Sequence, residues 1–194
     1  MRTLLIAVML SLGAPRVASA AVVVALSEPE LVLRADTIVF GTVIRTRAVR
    51  EGHGFVLTQA DVQVYRGLRG AAAGDFVTIE VPGGRLENGL VADVPGAPKL
   101  EVGDMVFAFC ERHGATVRPL ALAFGLLRVR EVAPGDLRVF RDVEGLQMVG
   151  PGGAPAGPIT MIRGVPLDEY TTRIERELAD LGLVVPGRPG EVTP

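Results

Sequence analysis

Apolar residues along this chain recur mostly at every second position, in short runs separated by Gly and Pro, which is the period of half-buried strands. Asp36 to Ile44 is β-branched and apolar and predicts a strand, with Gly41 marking a bulge or a tight bend inside it. Glu51-Gly52-His53-Gly54 reads as a turn. Phe55 to Tyr65 then alternates, with Val56, Ala60, Val62 and Val64 on one face and Gln59, Asp61 and Gln63 on the other. The segment from Arg66 to Gly70 is expected to break this strand. Phe76 to Val81 alternates again. Met105 to Cys110 is apolar on both faces, as a buried strand is. Leu126 to Val132 and Leu137 to Arg141 flank Ala133-Pro134-Gly135-Asp136, and Pro followed by Gly suits a hairpin turn.

Two segments follow the helical period instead. Ser27-Glu28-Pro29-Glu30 is a helix start, with Ser27 as cap, Glu30 reaching back and Pro29 in the first turn; this helix should end near Ala35. Beyond Pro166, the residues Leu167, Tyr170, Ile174, Leu178 and Leu181 form one apolar stripe, and Gly182 ends the helix. Strands and turns at these spacings predict a mainly β fold, an OB-like five-stranded barrel with a short N-terminal helix and a C-terminal helix. The expected organisation is a signal peptide over 1–20, the barrel domain over 21–148, a Gly/Pro linker over 149–158, a C-terminal helical extension over 159–185 and a tail over 186–194.

The first residues explain the boundary at 20. Arg2 precedes an apolar run from Leu4 to Leu12, and Ala18-Ser19-Ala20 presents small residues at −3 and −1, so a signal peptidase is expected to cut between Ala20 and Ala21. These nine residues, broken only by Ser11, reach about 14 Å as a helix, too short to cross a bilayer, so no stable transmembrane span is expected. The chain is therefore read as secreted or periplasmic. The whole chain carries a net charge of −2; cleavage removes Arg2 and Arg16 and no acid, which takes it to −4. Nineteen of the 20 basic residues are Arg, the exception being Lys99, and they are dispersed. With a pI near 5.8, nothing here favours nucleic acid. The one cysteine, Cys110, excludes an internal disulfide and is expected to be a buried thiol.

Three stretches, Glu30 to Val43, Val62 to Gly67 and Gly103 to Phe109, resemble netrin-like domains, the group that includes the tissue inhibitors of metalloproteinases and many short exported bacterial proteins. Glu30-Leu31-Val32-Leu33-Arg34-Ala35-Asp36-Thr37-Ile38-Val39-Phe40-Gly41-Thr42-Val43 is similar to the opening of those domains. Val62-Gln63-Val64-Tyr65-Arg66-Gly67 resembles their Val-x-x-Tyr-Lys-Gly segment, with Arg66 in the Lys place. Gly103-Asp104-Met105-Val106-Phe107-Ala108-Phe109 resembles their Gly-x-x-Tyr-Leu strand, without the Tyr. The likeness covers about residues 27 to 130 and implies an OB-like barrel and an exported binding module. In the animal inhibitors, a disulfide-fixed N-terminal cysteine places its amino group and carbonyl on the protease zinc. Here the expected N-terminus is Ala21-Val22-Val23 and no disulfide is available, so those inhibitory residues do not carry over.

The inventory of reactive side chains is short. After cleavage Ser27 is the only serine, and its place is a cap; no nucleophile-elbow motif accompanies His53 or His113. Cys110 and His113 lie three apart, on opposite faces of a strand, and no metal-type spacing recurs. No catalytic residue, metal site or cofactor is therefore expected. The segment Pro82 to Gly103 lacks a clean period and holds five Gly and three Pro; a connection this long in a compact domain is often functional. Within it, Arg85, Leu86, Asn88, Leu90 and Val91 are the candidate binding residues: leucine and valine beside an arginine can form an interface hot spot. The alternative is that Leu90 and Val91 fold back as a lid over the barrel end. The function these features favour is an exported, noncatalytic module that binds a protein or an envelope component. The alternative is a metalloprotease inhibitor acting through its mature N-terminus, and an enzyme of unrecognised type ranks third. The expected partners are a secreted protease or an envelope protein, and a monomer is expected.

Overall fold

In a computed structural model, residues 21–141, 146–150, 153 and 162–183 are described. The expected signal peptide with Ala20, most of the linker and the tail lie outside them. The chain opens with strand β1 (Ala21–Val24) and helix α1 (Glu28–Arg34). The capping box is complete. The Ser27 hydroxyl accepts from the Glu30 amide at 3.4 Å, and the Glu30 carboxylate accepts from the Ser27 amide at 2.7 Å. Two orphan amides of the first turn are thus satisfied within four residues.

Strands β2 (Thr37–Arg50) and β3 (Val56–Arg69) form a long antiparallel hairpin around a 3₁₀ turn at Gly52–Gly54. Three register shifts bend it, one beside Gly41. A Cβ at Gly41 would stand 2.2 Å from the Gln63 carbonyl oxygen, so only glycine lets β3 approach there. The expected break at Arg66–Gly70 does not occur. β3 continues to Arg69 because it still pairs with the start of β2, Ile38 facing Arg69, and Leu68 is fully buried.

β4 (Phe76–Pro82) pairs with β3, and the small strands β5 (Gly84–Arg85) and β6 (Val91–Ala92) follow in the 82–103 connection. β7 (Met105–His113) returns along β2, and β8 (Thr116–Pro119) pairs antiparallel with β7 and parallel with β4. These strands make a five-membered ring in the order β2-β3-β4-β8-β7, the OB-like arrangement. β8 meets β4 at one pair, Ile79 with Val117, so the ring is not sealed along its whole height. β9 (Leu126–Ala133), β10 (Asp136–Phe140) and β12 (Arg163–Pro166) extend the sheet outward from β7. β11 (Leu146–Val149) pairs in parallel with β1, in a separate two-stranded sheet.

The sheet buries both faces. Val39, Val43, Ala60, Val62, Ile79, Val106, Ala108 and Cys110 fill the inside of the ring. Ile38, Phe40, Phe107, Phe109, Leu127 and Val129 form a second core on the opposite face, covered by α1 and by helix α2 (Leu167–Asp180). This is why Met105–Cys110 carries no polar alternation. Leu167, Tyr170, Ile174 and Leu178 are buried as the stripe requires. Leu181, at the helix C-cap, is instead 39% exposed, because the helix ends there and Leu183 turns back onto the core. The Tyr170 ring meets Phe107 edge-on at 5.0 Å, and the Arg173 guanidinium lies over it, 4.9 Å from its centroid.

Candidate functional site

The 82–103 connection leaves β4 through Gly83 and Gly84. Both have positive φ, and a Cβ at Gly84 would stand 2.5 Å from the Thr58 hydroxyl. The close approach is held by the Gly83 amide donating to Val56 O and the Thr58 hydroxyl donating to Gly83 O, each at 2.8 Å. A small hairpin follows. β5 and β6 pair Gly84 with Ala92 and Arg85 with Val91, and the Leu86 amide donates to Leu90 O at 2.9 Å. Its turn is built by Asn88, whose side-chain oxygen accepts from the Leu90 amide at 3.1 Å, and by Gly89 at positive φ. At the far end, Arg128 is hydrogen-bonded to the Asp104 carboxylate and to the Lys99 carbonyl, and the Gly103 amide donates to Val43 O. The connection is thus anchored at both ends on the strand ring.

The five candidate residues separate into distinct places. Arg85 and Val91 are a cross-strand pair on one face of the hairpin. Leu86, half-buried, and Leu90 share the other face, and Asn88 sits in the turn. Leu90 and Val91 are 46% and 52% exposed, so they do not form a lid. The residue that closes the core is Leu100, which is buried among the residues inside the ring. Arg85 and Val91 line a cleft of about 630 Å³ between the hairpin, Thr46–Ala48 of β2 and the 97–101 segment. The cleft is lined by three cations, Arg47, Arg85 and Lys99, and two carboxylates, Asp93 and Glu101. Arg47 donates to Gln59 and lies 3.7 Å from Asp61, and Lys99 pairs with Asp93 at 3.3 Å. Arg85 makes no hydrogen bond or ion pair with any described residue.

Beside the cleft runs a polar network that sequence reading did not single out. Asp61, which the alternation sets opposite the valines with Gln59 and Gln63, is buried. It accepts from Thr78 Oγ1 at 2.7 Å and from Arg45 Nε at 2.6 Å. Glu80, also buried, accepts from Gln59 at 2.7 Å and from Arg118, which also reaches Glu51. Burial pushes both carboxyls up, but these hydrogen bonds and the neighbouring guanidinium charges outweigh it and leave both below their ordinary values. Their separation in sequence, 16 residues for Arg45–Asp61 and 38 for Glu80–Arg118, hides the network until strand register is known.

Cys110 is fully buried, and burial together with the Glu111 charge pushes its thiol well above the ordinary value. His113, on the same strand, is exposed and lies 4.0 Å from Glu51. Among the described residues, no group of three or more His, Cys, Asp or Glu side chains could hold a metal ion. Also among them, no helix is long and apolar enough to cross a membrane. The fold and the cleft thus define a mainly β, OB-like strand ring with two docked helices and a small exposed hairpin beside a cleft of mixed charge. Comparison with protein-family models, with curated proteins and with solved structures finds no match.

Proposed function

We propose that this chain is an exported, noncatalytic binding module of netrin-like type that captures a protein or an envelope component through the 82–103 connection. The observation that supports this reading most is the β5–β6 hairpin. It holds Leu90 and Val91 about half exposed beside Arg85, which has no ion-pair partner among the described residues, on a base anchored to the strand ring. Apolar surface held rigidly next to an arginine pays little ordering entropy on binding, so it suits a hot spot. The test replaces Leu86, Leu90 and Val91 together with serine. Melting should stay nearly unchanged, because Leu90 and Val91 lie outside both cores, while capture of a partner from culture fluid weakens. Marked destabilisation with capture intact would reject this surface.

A second reading, a metalloprotease inhibitor acting through Ala21, gains support from β1. Pairing of Ala21–Val24 with β11, and burial of Val23, would hold an N-terminal amino group and carbonyl in place without a disulfide. Inhibition of secreted zinc proteases by the chain beginning at Ala21, lost when one residue is added before it, would favour this reading over the first.

A further inference from the structure

Resting on the proposed role of the 82–103 connection, we infer that its ligand is an extended protein segment bearing a carboxylate, which adds as a third strand along the outer edge of β6. The register of the hairpin carries the argument. In an antiparallel pair, directly opposed residues alternate between those that exchange hydrogen bonds and those that do not. The Leu86 amide donates to Leu90 O, so Leu86–Leu90 is of the first kind and Arg85–Val91 of the second. The Val91 N–H and C=O therefore point away from β5, toward the outside of the sheet. Among the described residues β6 pairs with no strand but β5, and Val91 is 52% exposed. A donor and an acceptor on an open edge, beside exposed Leu90, form a template for strand addition.

The same register selects the segment's chemistry. A residue placed opposite Val91 by the added strand shares the face of Val91 and Arg85. Two strand spacings, about 10 Å in total, separate its Cα from that of Arg85. A glutamate and an arginine side chain together bridge that distance across Val91. The cleft lining also holds the carboxylates Asp93 and Glu101, but Lys99 pairs with Asp93 and Arg47 lies beside Asp61, so Arg85, which has no acidic partner among the described residues, is the cation left to meet a ligand. Residues before and after the glutamate would turn to the Leu90 face, which favours apolar side chains. The segment thus reads apolar-acidic-apolar in extended conformation.

The probe is a capped nine-residue peptide of alternating valine and threonine, whose middle residue is glutamate flanked by two valines, set against the same peptide with a central lysine. Backbone exchange of the full chain should slow at the Val91 amide on adding the glutamate peptide, and this peptide should bind about tenfold more tightly than the lysine one. Arg85→Glu should reverse that order. Val91→Pro removes the outward N–H without breaking a bond to β5, and should lower affinity about tenfold, well beyond the loss from Val91→Thr, which keeps the N–H. Equal binding of the two peptides, no binding of either at millimolar concentration, or unchanged exchange at Val91 would overturn strand addition. Exchange on the unaltered chain answers even if a variant fails to fold. If the triple-serine variant loses capture while Val91 exchange stays unchanged, the surface stands and strand addition falls. If that variant keeps full capture, the proposed surface itself falls.

Discussion

Asp61 and Glu80 are carboxylates in places where burial disfavours charge, and each stays ionised because guanidinium and amide or hydroxyl donors surround it. Their folded values lie below the ordinary 3.8 and 4.5. A depressed carboxyl contributes stability that is present above its unfolded value and is lost as pH falls through the folded one. Stability should therefore be level from neutrality to about pH 5 and fall below about pH 4. Asp61→Asn should cost about 1.5–3 kcal/mol at pH 7, the scale of hydrogen bonds to a charged group, and flatten the acid limb. Urea unfolding at pH 7 and pH 3 measures both; an unchanged acid limb would count against this assignment. Cys110 makes the opposite case: its thiol is buried in an apolar ring interior and held neutral. A thiol reagent should label the native protein slowly and the denatured protein fast. Rapid native labelling, or a Cys110-linked dimer as the main form, would contradict this.

At the scale of elements, α2 matters most. Fourteen residues of helix are marginal alone in water, so its order comes from the stripe it buries on the sheet. Ile174 is at the centre of that stripe and is 1% exposed. Ile174→Asp should cost about 2–5 kcal/mol, from the lost apolar contacts and the buried charge. Chemical denaturation of the variant checks this, and a change under half that size would mean that the helix contributes little to the fold. Among the described residues, two ion pairs join the helix to distant elements, Arg173 to Glu28 of α1 at 2.9 Å and Arg66 of β3 to Glu175 at 2.7 Å. Both are partly exposed, so the apolar stripe outweighs them.

For the whole molecule, the N-terminal segment ties distant parts together. β1 pairs with β11, more than 120 residues away, and buries Val23 in the core shared by both helices. Cleavage between Ala20 and Ala21 would leave this strand whole. The proposed export predicts an intact mass beginning at Ala21; a full-length species retained in the cytosol would contradict it. Deleting Ala21–Val24 from the mature chain should cost about 1.5–3 kcal/mol, the scale of one buried valine, measurable as a lowered melting temperature. A loss smaller than about 0.5 kcal/mol would mean that β1 adds nothing to the fold.

Local signals carried a good part of this architecture into the sequence. The Ser27–Glu30 capping box, the Pro134-Gly135 turn, the two-residue period of β3 and β4 and the helical stripe from Leu167 to Leu178 each act within a few residues, so each is legible in order along the chain. What only the tertiary structure decided depends on pairing between distant strands. Register kept β3 running through Arg66–Gly67, brought Arg45 onto Asp61 and Arg118 onto Glu80, and turned the Val91 backbone outward. It also set the fate of the 82–103 connection. Composition could name Leu90, Val91 and Leu100 as apolar, but which of them entered the core depended on how Gly83–Gly84 seated the hairpin on Thr58 and how Arg128 clamped the other end. Burial is a property of the packed neighbours, and those neighbours lie tens of residues apart in the sequence.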